Sequence, residues 1–147
     1  MVKHLGLILI ASAIIIVVIV SYTYVDSTII NPTGLTFEKI LLSKSEINSD
    51  ETAIITVNVK NYKESFKNIF VKTKSDDVNN QYLTISTASL PLPDIDYPNK
   101  NTGDHTITIK PHDISLTKIP FKITVEVYAN NIAEPMLTYD FDLTVKK

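Results

Sequence analysis

Between Leu5 and Val25 the sequence LGLILIASAIIIVVIVSYTYV runs for 21 residues without a charged side chain. At 1.5 Å of rise per residue a helix of that length spans about 31 Å, the thickness of a bilayer's hydrocarbon core. The run is rich in β-branched residues, but lipid offers the backbone no water, so an isolated apolar segment must close its own hydrogen bonds as a helix. Tyr22 and Tyr24 lie where amphipathic rings favour the headgroup layer, and Lys3, His4 and the terminal amine mark the other end. This predicts a transmembrane anchor over residues 1–25, with the N-terminus cytoplasmic and the rest of the chain extracytoplasmic. A cleaved signal needs a shorter apolar core ending in a small-x-small site. Ala11-Ser12-Ala13 falls in the middle of the run and Ser21-Tyr22-Thr23 is a poor substitute, so the anchor is expected to stay. Gly6, Ala11, Ser12 and Ala13 leave room for another helix to approach, although no G-x-x-x-G spacing is present; a lipid-facing anchor is the other reading.

Residues 26–147 have the size of one domain with one core. They hold thirteen lysines against sixteen acids, a net charge of −3, which disfavours a nucleic-acid surface. No cysteine occurs, so stability must come from packing, and Cys-ligated zinc, iron–sulfur clusters and thiol chemistry are excluded. Asn31-Pro32-Thr33 carries proline in the position that forbids N-glycosylation.

Turn-forming residues from Asp26 to Gly34 predict a short tether, and Leu35 to Leu42 a first strand. Ser43 to Thr52 reads as a loop. From Ala53 to Lys60, Ile55, Val57 and Val59 alternate with Thr56, Asn58 and Lys60, the period-two pattern of a half-buried strand. Phe66 to Lys74 sets Ile69, Val71 and Thr73 against Phe70, Lys72 and Lys74, and Asp76 to Asn80 ends it with a turn. Tyr82 to Thr87 favours a further strand. Pro91, Pro93 and Pro98 then remove N–H donors, which places that section along a sheet edge. His105 to Lys110 alternates again, with Ile107 and Ile109 facing in, and Pro111 closes it.

The last two segments predict a long β-hairpin. Phe121, Ile123, Val125 and Val127 answer Leu137, Tyr139, Phe141, Leu143 and Val145 across the connection Asn130 to Pro135. Charge selects the register: with Lys122 opposite Asp142, Thr124 opposite Asp140 and Glu126 opposite Thr138, unlike charges meet. Sliding the strands so that Asp140 or Asp142 comes opposite Glu126 pairs like charges. Seven candidate strands, and no helical periodicity beyond the anchor, give an all-β fold class: one N-terminal transmembrane helix, then an antiparallel immunoglobulin-like β-sandwich over residues 35–147.

The segments TAIITVNVKNY, SFKNIFVKTKSDD, IPFKITVEVYANN and YDFDLTV together resemble the immunoglobulin-like modules of prokaryotic cell-surface proteins, the CARDB and related groups. That resemblance implies an adhesion or spacer domain. One anchor before such a domain is also similar in layout to the archaellum stator proteins of the archaeal envelope, which implies a partner in the surface layer. Lys3-His4-Leu5-Gly6 departs from the processing site of archaeal pilins, so incorporation into a filament is not implied.

Candidate chemistry is sparse. His105 and His112, if extended, stand about 23 Å apart and share no metal unless Pro111 turns the chain back; His4 belongs to the membrane flank. Asp94 and Asp96, with Asp76, Asp77 and Asp104, have the hard oxygen ligands that calcium takes, but they lack the D-x-D-x-D-G spacing and read as solvated loop acids. Asp140 and Asp142 read as a strand's solvent face. No G-x-S-x-G, phosphate loop or H-E-x-x-H occurs. The sequence therefore predicts no catalytic, cofactor or metal site. It points to a non-catalytic, single-pass protein of the cell membrane that presents its domain for protein–protein contact in the envelope, of surface-layer or stator type. The alternative is an accessory structural subunit of a membrane-embedded enzyme complex, its anchor packed on other helices and its sandwich capping the outer face.

Overall fold

Period-two burial is what turns these segments into strands, because a pleated chain sends alternate side chains to opposite faces. The computed structural model describes residues 33–77, 81–98, 100–112 and 118–147. The anchor expected over Leu5–Val25, His4 and the tether before Thr33 lie outside these residues. Among the described residues no helix is long and apolar enough to cross a membrane.

In chain order the strands are β1 (Leu35–Leu42), β2 (Glu46–Asn48), β3 (Ala53–Asn61), β4 (Phe70–Ser75), β5 (Leu83–Ile85), β6 (Ser89–Pro91), β7 (His105–Pro111), β8 (Lys118–Tyr128) and β9 (Leu137–Lys146). They form two sheets, ordered β1-β3-β7-β5 and β2-β9-β8-β4-β6. Their facing sides bury Ile55, Val57, Val59, Ile107 and Ile109 from one sheet and Val71, Ile123, Val125, Val127, Leu143 and Val145 from the other. This is a β-sandwich with one shared apolar core.

The β8–β9 hairpin adopts the register that its charges select, with Lys122 opposite Asp142, Thr124 opposite Asp140 and Glu126 opposite Thr138. The described residues form nine strands rather than seven, and three further expectations need correction. The Ser43–Thr52 interval contains β2, which pairs parallel with β9 at Thr144–Lys146, so the sandwich is not wholly antiparallel. Three residues are too few to show a period, although Ile47 is buried. The strand expected from Phe66 starts at Phe70, because Asn68 takes a left-handed conformation (φ 51°) that interrupts an extended run. Phe66 and Ile69 are nevertheless buried, from a loop. Pro111 closes β7 as its last residue, paired with Leu83 of the short outer strand β5. The proline-bearing section does run along an edge: β6, ending at Pro91, is the outermost strand of its sheet.

Lys122 stands opposite Asp142 and places Nζ 2.8 Å from Asp140. Lys122→Glu is expected to lower the urea midpoint of unfolding by aligning like charges, with part of the loss recovered by added salt. The swap Lys122→Glu with Asp140→Lys restores an attractive pair and recovers stability. Midpoints for the three proteins at two ionic strengths check this.

Candidate interaction surfaces

The inward run of β3, Ile55, Val57 and Val59, ends on Asn61, which is fully buried. An amide without access to water must bond within the protein. Asn61 Nδ2 donates to the carbonyls of Glu64 (3.0 Å) and Ile95 (3.4 Å), and its Oδ1 accepts from the Lys100 amide (2.9 Å). Its own amide donates to the Lys100 carbonyl at 3.0 Å. One side chain thus ties the loop after β3 to the segment between β6 and β7.

Further bonds bind the same end of the sandwich. Phe66 and Ile95 exchange backbone hydrogen bonds of 2.9 and 3.0 Å. The Tyr97 amide donates to Ser65 Oγ (2.9 Å), and the Asn68 amide to Asp94 Oδ1 (2.8 Å). The β8–β9 connection joins through Asn130, whose amide donates to the Lys67 carbonyl (2.7 Å) and whose Oδ1 accepts from the Lys67 amide (2.9 Å). Lys67 Nζ lies 3.3 Å from Asp96 and 3.5 Å from Asp94, and these carboxylates, Asp96 foremost, raise its pKa. Asn130 and Asn131 hold φ of 55° and 59°, a region asparagine enters more readily than most residues. Gly34 closes the entry to the domain at φ 82°, where an added Cβ would stand 2.7 Å from that of Lys63. On this cross-tied platform the apolar groups left outside are Tyr97, 54% exposed, and Ile132, 47% exposed.

The outer face of the five-stranded sheet is charged and internally matched. Lys74 sits 2.7 Å from Glu126, Lys122 bonds Asp140, and Lys146 and Lys118 converge on Glu46. Thr124 and Tyr128 donate to Asp140 (2.7 Å) and Glu126 (2.8 Å). Phe70 stacks on Tyr128 at 5.0 Å, with Lys72 Nζ 4.8 Å from the Tyr128 ring centre. The hydrogen bond from Lys74, then that from Tyr128, depresses the Glu126 pKa; Lys122 and then Thr124 do the same for Asp140. Between β4 and β5 a cleft of about 440 Å³ is lined by Thr73, Ser75, Thr84, Ile85 and Ala88. The Thr73 and Ser75 hydroxyls are buried without a hydrogen-bond partner, and the polar groups water needs are at hand there.

The residues weighed for metal binding do not converge. His105 Nε2 bonds the Thr102 carbonyl at 2.9 Å, and His112, beyond the end of β7, donates its amide to the Tyr82 carbonyl. Asp76 accepts the Lys122 amide, Asp77 the amides of Tyr82 and Leu83, and Asp104 pairs with Lys39 and Asn58. Among the described residues no group of three or more His, Asp or Glu could hold a metal ion. The acids read as solvated loops are hydrogen-bonding groups that fasten particular turns. Asn61 is the residue that sequence reasoning missed. Its signal was its phase, since it falls on the inward side of β3 where only a fully bonded polar group is tolerated.

No protein-family model and no curated protein sequence matches the chain. Among solved structures it is similar to a CARDB domain from Pyrococcus furiosus, determined in complex with di-metal ions, at 16% identity and TM-score 0.51 over 76% of this chain and 91% of that one. The same domain determined in solution aligns at 19% identity and TM-score 0.48, over 77% of this chain and 94% of that one. The periplasmic chaperone SfaE aligns at 9% identity and TM-score 0.46 over 74% of this chain, which spans 56% of the chaperone.

Two outcomes follow from the bonding pattern. Asn61→Ala leaves the Lys100 amide and the Glu64 and Ile95 carbonyls short of a partner and is expected to cost about 2–3 kcal/mol, measured by urea denaturation. The depressed carboxylates of Glu46, Glu51, Asp104, Glu126 and Asp140 stabilise the fold fully above the ordinary carboxylate range near 4. That contribution is lost as pH falls through their lower folded values, so unfolding midpoints are expected to hold from pH 7 to 5 and drop below about 4. Glu126→Gln flattens part of the drop.

Two sheets closed over one core by these strands, with the likeness to the CARDB domain, identify the described residues as an immunoglobulin-like β-sandwich.

Proposed function

We propose that this chain is a non-catalytic, single-pass membrane protein whose immunoglobulin-like domain makes protein–protein contacts in the cell envelope. The carrying observation is the cross-tied loop end. There Asn61 bonds Glu64, Ile95 and Lys100, Lys67 joins Asn130 and Asp94, and Tyr97 and Ile132 are presented on a platform whose shape is fixed in advance. Preorganised apolar groups suit a binding surface, because little ordering entropy remains to be lost on contact. The CARDB-like fold and the uncharged Leu5–Val25 run support the same reading.

A second observation favours the accessory-subunit version of this role. The domain begins at Leu35, paired with Asn61, and the Tyr62 amide donates to the Gly34 carbonyl at 3.2 Å. The chain therefore enters at the platform end. With an anchor over Leu5–Val25 and a short 26–34 tether, Tyr97 and Ile132 face the bilayer side, where a membrane-embedded partner would present its outer surface. An adhesive domain reaching outward would instead use the opposite end, near Lys44.

Photo-crosslinking residues at Tyr97, Ile132 and, as comparison, Lys44, in the full chain in its native membrane, test the proposal. Adducts with integral membrane proteins are expected from Tyr97 and Ile132. Adducts from Lys44 alone, with a surface-layer protein, would favour the outward-reaching role. Release of the chain from membranes by alkaline extraction would overturn the anchored reading.

A further inference from the structure

The edges of a sandwich carry unpaired backbone groups, and most edges here are blunted. β5 and β6 are three residues long, and β6 ends in proline. β1 is interrupted by a bulge between Phe37 and Lys39. β9 differs: it is ten residues long, and β2 covers its outer side only at Thr144, Val145 and Lys146.

Which groups lie along the uncovered part follows from one hydrogen bond. The Thr144 amide points away from β8 and donates to the Ser45 carbonyl at 2.8 Å. Backbone direction alternates along a strand, so Thr138, Asp140 and Asp142 project their N–H and C=O groups to that same side. Among the described residues nothing pairs with them there. Their side chains are exposed, and between them Tyr139 and Phe141 turn inward but remain half-buried. These two rings lie 4.8 Å apart, and Phe37 of β1 meets Tyr139 edge-on at 6.4 Å, closing the gap between the sheets.

We propose that the Thr138–Asp142 edge of β9 docks an extended segment of a partner protein in which basic and apolar residues alternate. This rests on reading the sandwich as a contact module and adds a second surface to it, away from the loop platform. Backbone pairing with residues 138, 140 and 142 supplies affinity, and side-chain alternation supplies selectivity. Neighbours in a sheet share a face, so the partner's outward residues lie beside Asp140 and Asp142 and its inward ones beside Tyr139, Phe141 and Phe37. Lys122 alone stands against both aspartates, opposite Asp142 and bonded to Asp140. The edge therefore keeps an excess negative charge that a lysine or arginine strand complements. A second copy of this chain is disfavoured, since two β9 strands paired antiparallel about Asp140 bring like charges together.

The test uses the full chain in detergent micelles and, as probe, a synthetic peptide alternating lysine with valine. A matched peptide N-methylated on alternate amides keeps the charge and cannot pair. Amide exchange at Thr138, Asp140 and Asp142 is expected to slow with the first peptide only. Asp142→Lys is expected to weaken binding roughly tenfold, and a peptide alternating glutamate with valine to recover it. Asp142→Asn, which removes charge without reversing it, gives an intermediate loss and serves if the lysine variant folds poorly. Equal binding of the N-methylated peptide, protection mapping elsewhere, or protection by self-association at high concentration would each overturn the edge proposal. Crosslinks from Tyr97 that persist in that event would leave the contact-module reading intact.

Discussion

The β8–β9 ladder is the constraint from which the other features take their positions. It runs from Lys118 opposite Lys146 to Val127 opposite Leu137. A slip of one residue would send Phe121, Ile123 and Val125 into water and the lysines and aspartates into the core. A slip of two that brings Asp140 opposite Glu126 keeps the faces but aligns like charges. Burial thus fixes the parity of the register, and charge opposes slips of that parity in this direction. Surface ion pairs add little to stability as isolated contacts, yet they discriminate between pairings that the core cannot tell apart. Once the ladder is set, β4 docks on the other side of β8 from Phe70–Tyr128 to Ser75–Ile123, and β9 is left as the strand nearest the edge.

The two ends of the sandwich are built differently because the chain uses them differently. At the end where Leu35 enters, three loops meet, and the buried Asn61 amide joins two of them in the way a longer apolar contact could not. An apolar residue at 61 would leave the Lys100 amide and the Ile95 carbonyl with one partner fewer each. Asn68, Asn130 and Asn131 reverse the chain within short connections through left-handed conformations. Rigidity there comes from backbone bonds between loops distant in sequence, which is a different source from the packing that holds the strands.

Much of the sandwich was legible in the sequence because half-buried strands must alternate, and Ile55-Val57-Val59, Ile107-Ile109 and Phe121-Ile123-Val125-Val127 do so without interruption. The short strands β2 and β6 were not legible, since they are set by what they lie beside, β9 and β4. Phe66 and Ile69 misled for a related reason: they are apolar, spaced suitably and buried, but in a loop that the left-handed Asn68 bends. The acids invited a metal reading because composition shows charge and not direction. Asp76, Asp77, Asp94 and Asp104 are turned towards the Lys122 amide, the Tyr82 and Leu83 amides, the Asn68 amide and the Lys39 ammonium, partners that lie from five to 65 residues away. The loop platform was hidden for the same reason, and the phase of Asn61 with the core was the one signal that could have found it.

The edge of β9 shows how one strand meets two opposed requirements. A long uncovered edge invites pairing with any exposed strand, and carboxylates along it, as at Asp140 and Asp142, repel most such strands by desolvation and like charge. The same carboxylates favour the one class of segment that carries cations at the matching spacing. Protection from indiscriminate pairing and selection of a particular partner are therefore a single device here. It works only because the hairpin register leaves one cation, Lys122, between two acids. A second cation beside the two acids would make the edge neutral and a poor discriminator. The pairing that specifies the core thus also sets the charge the edge offers to other chains.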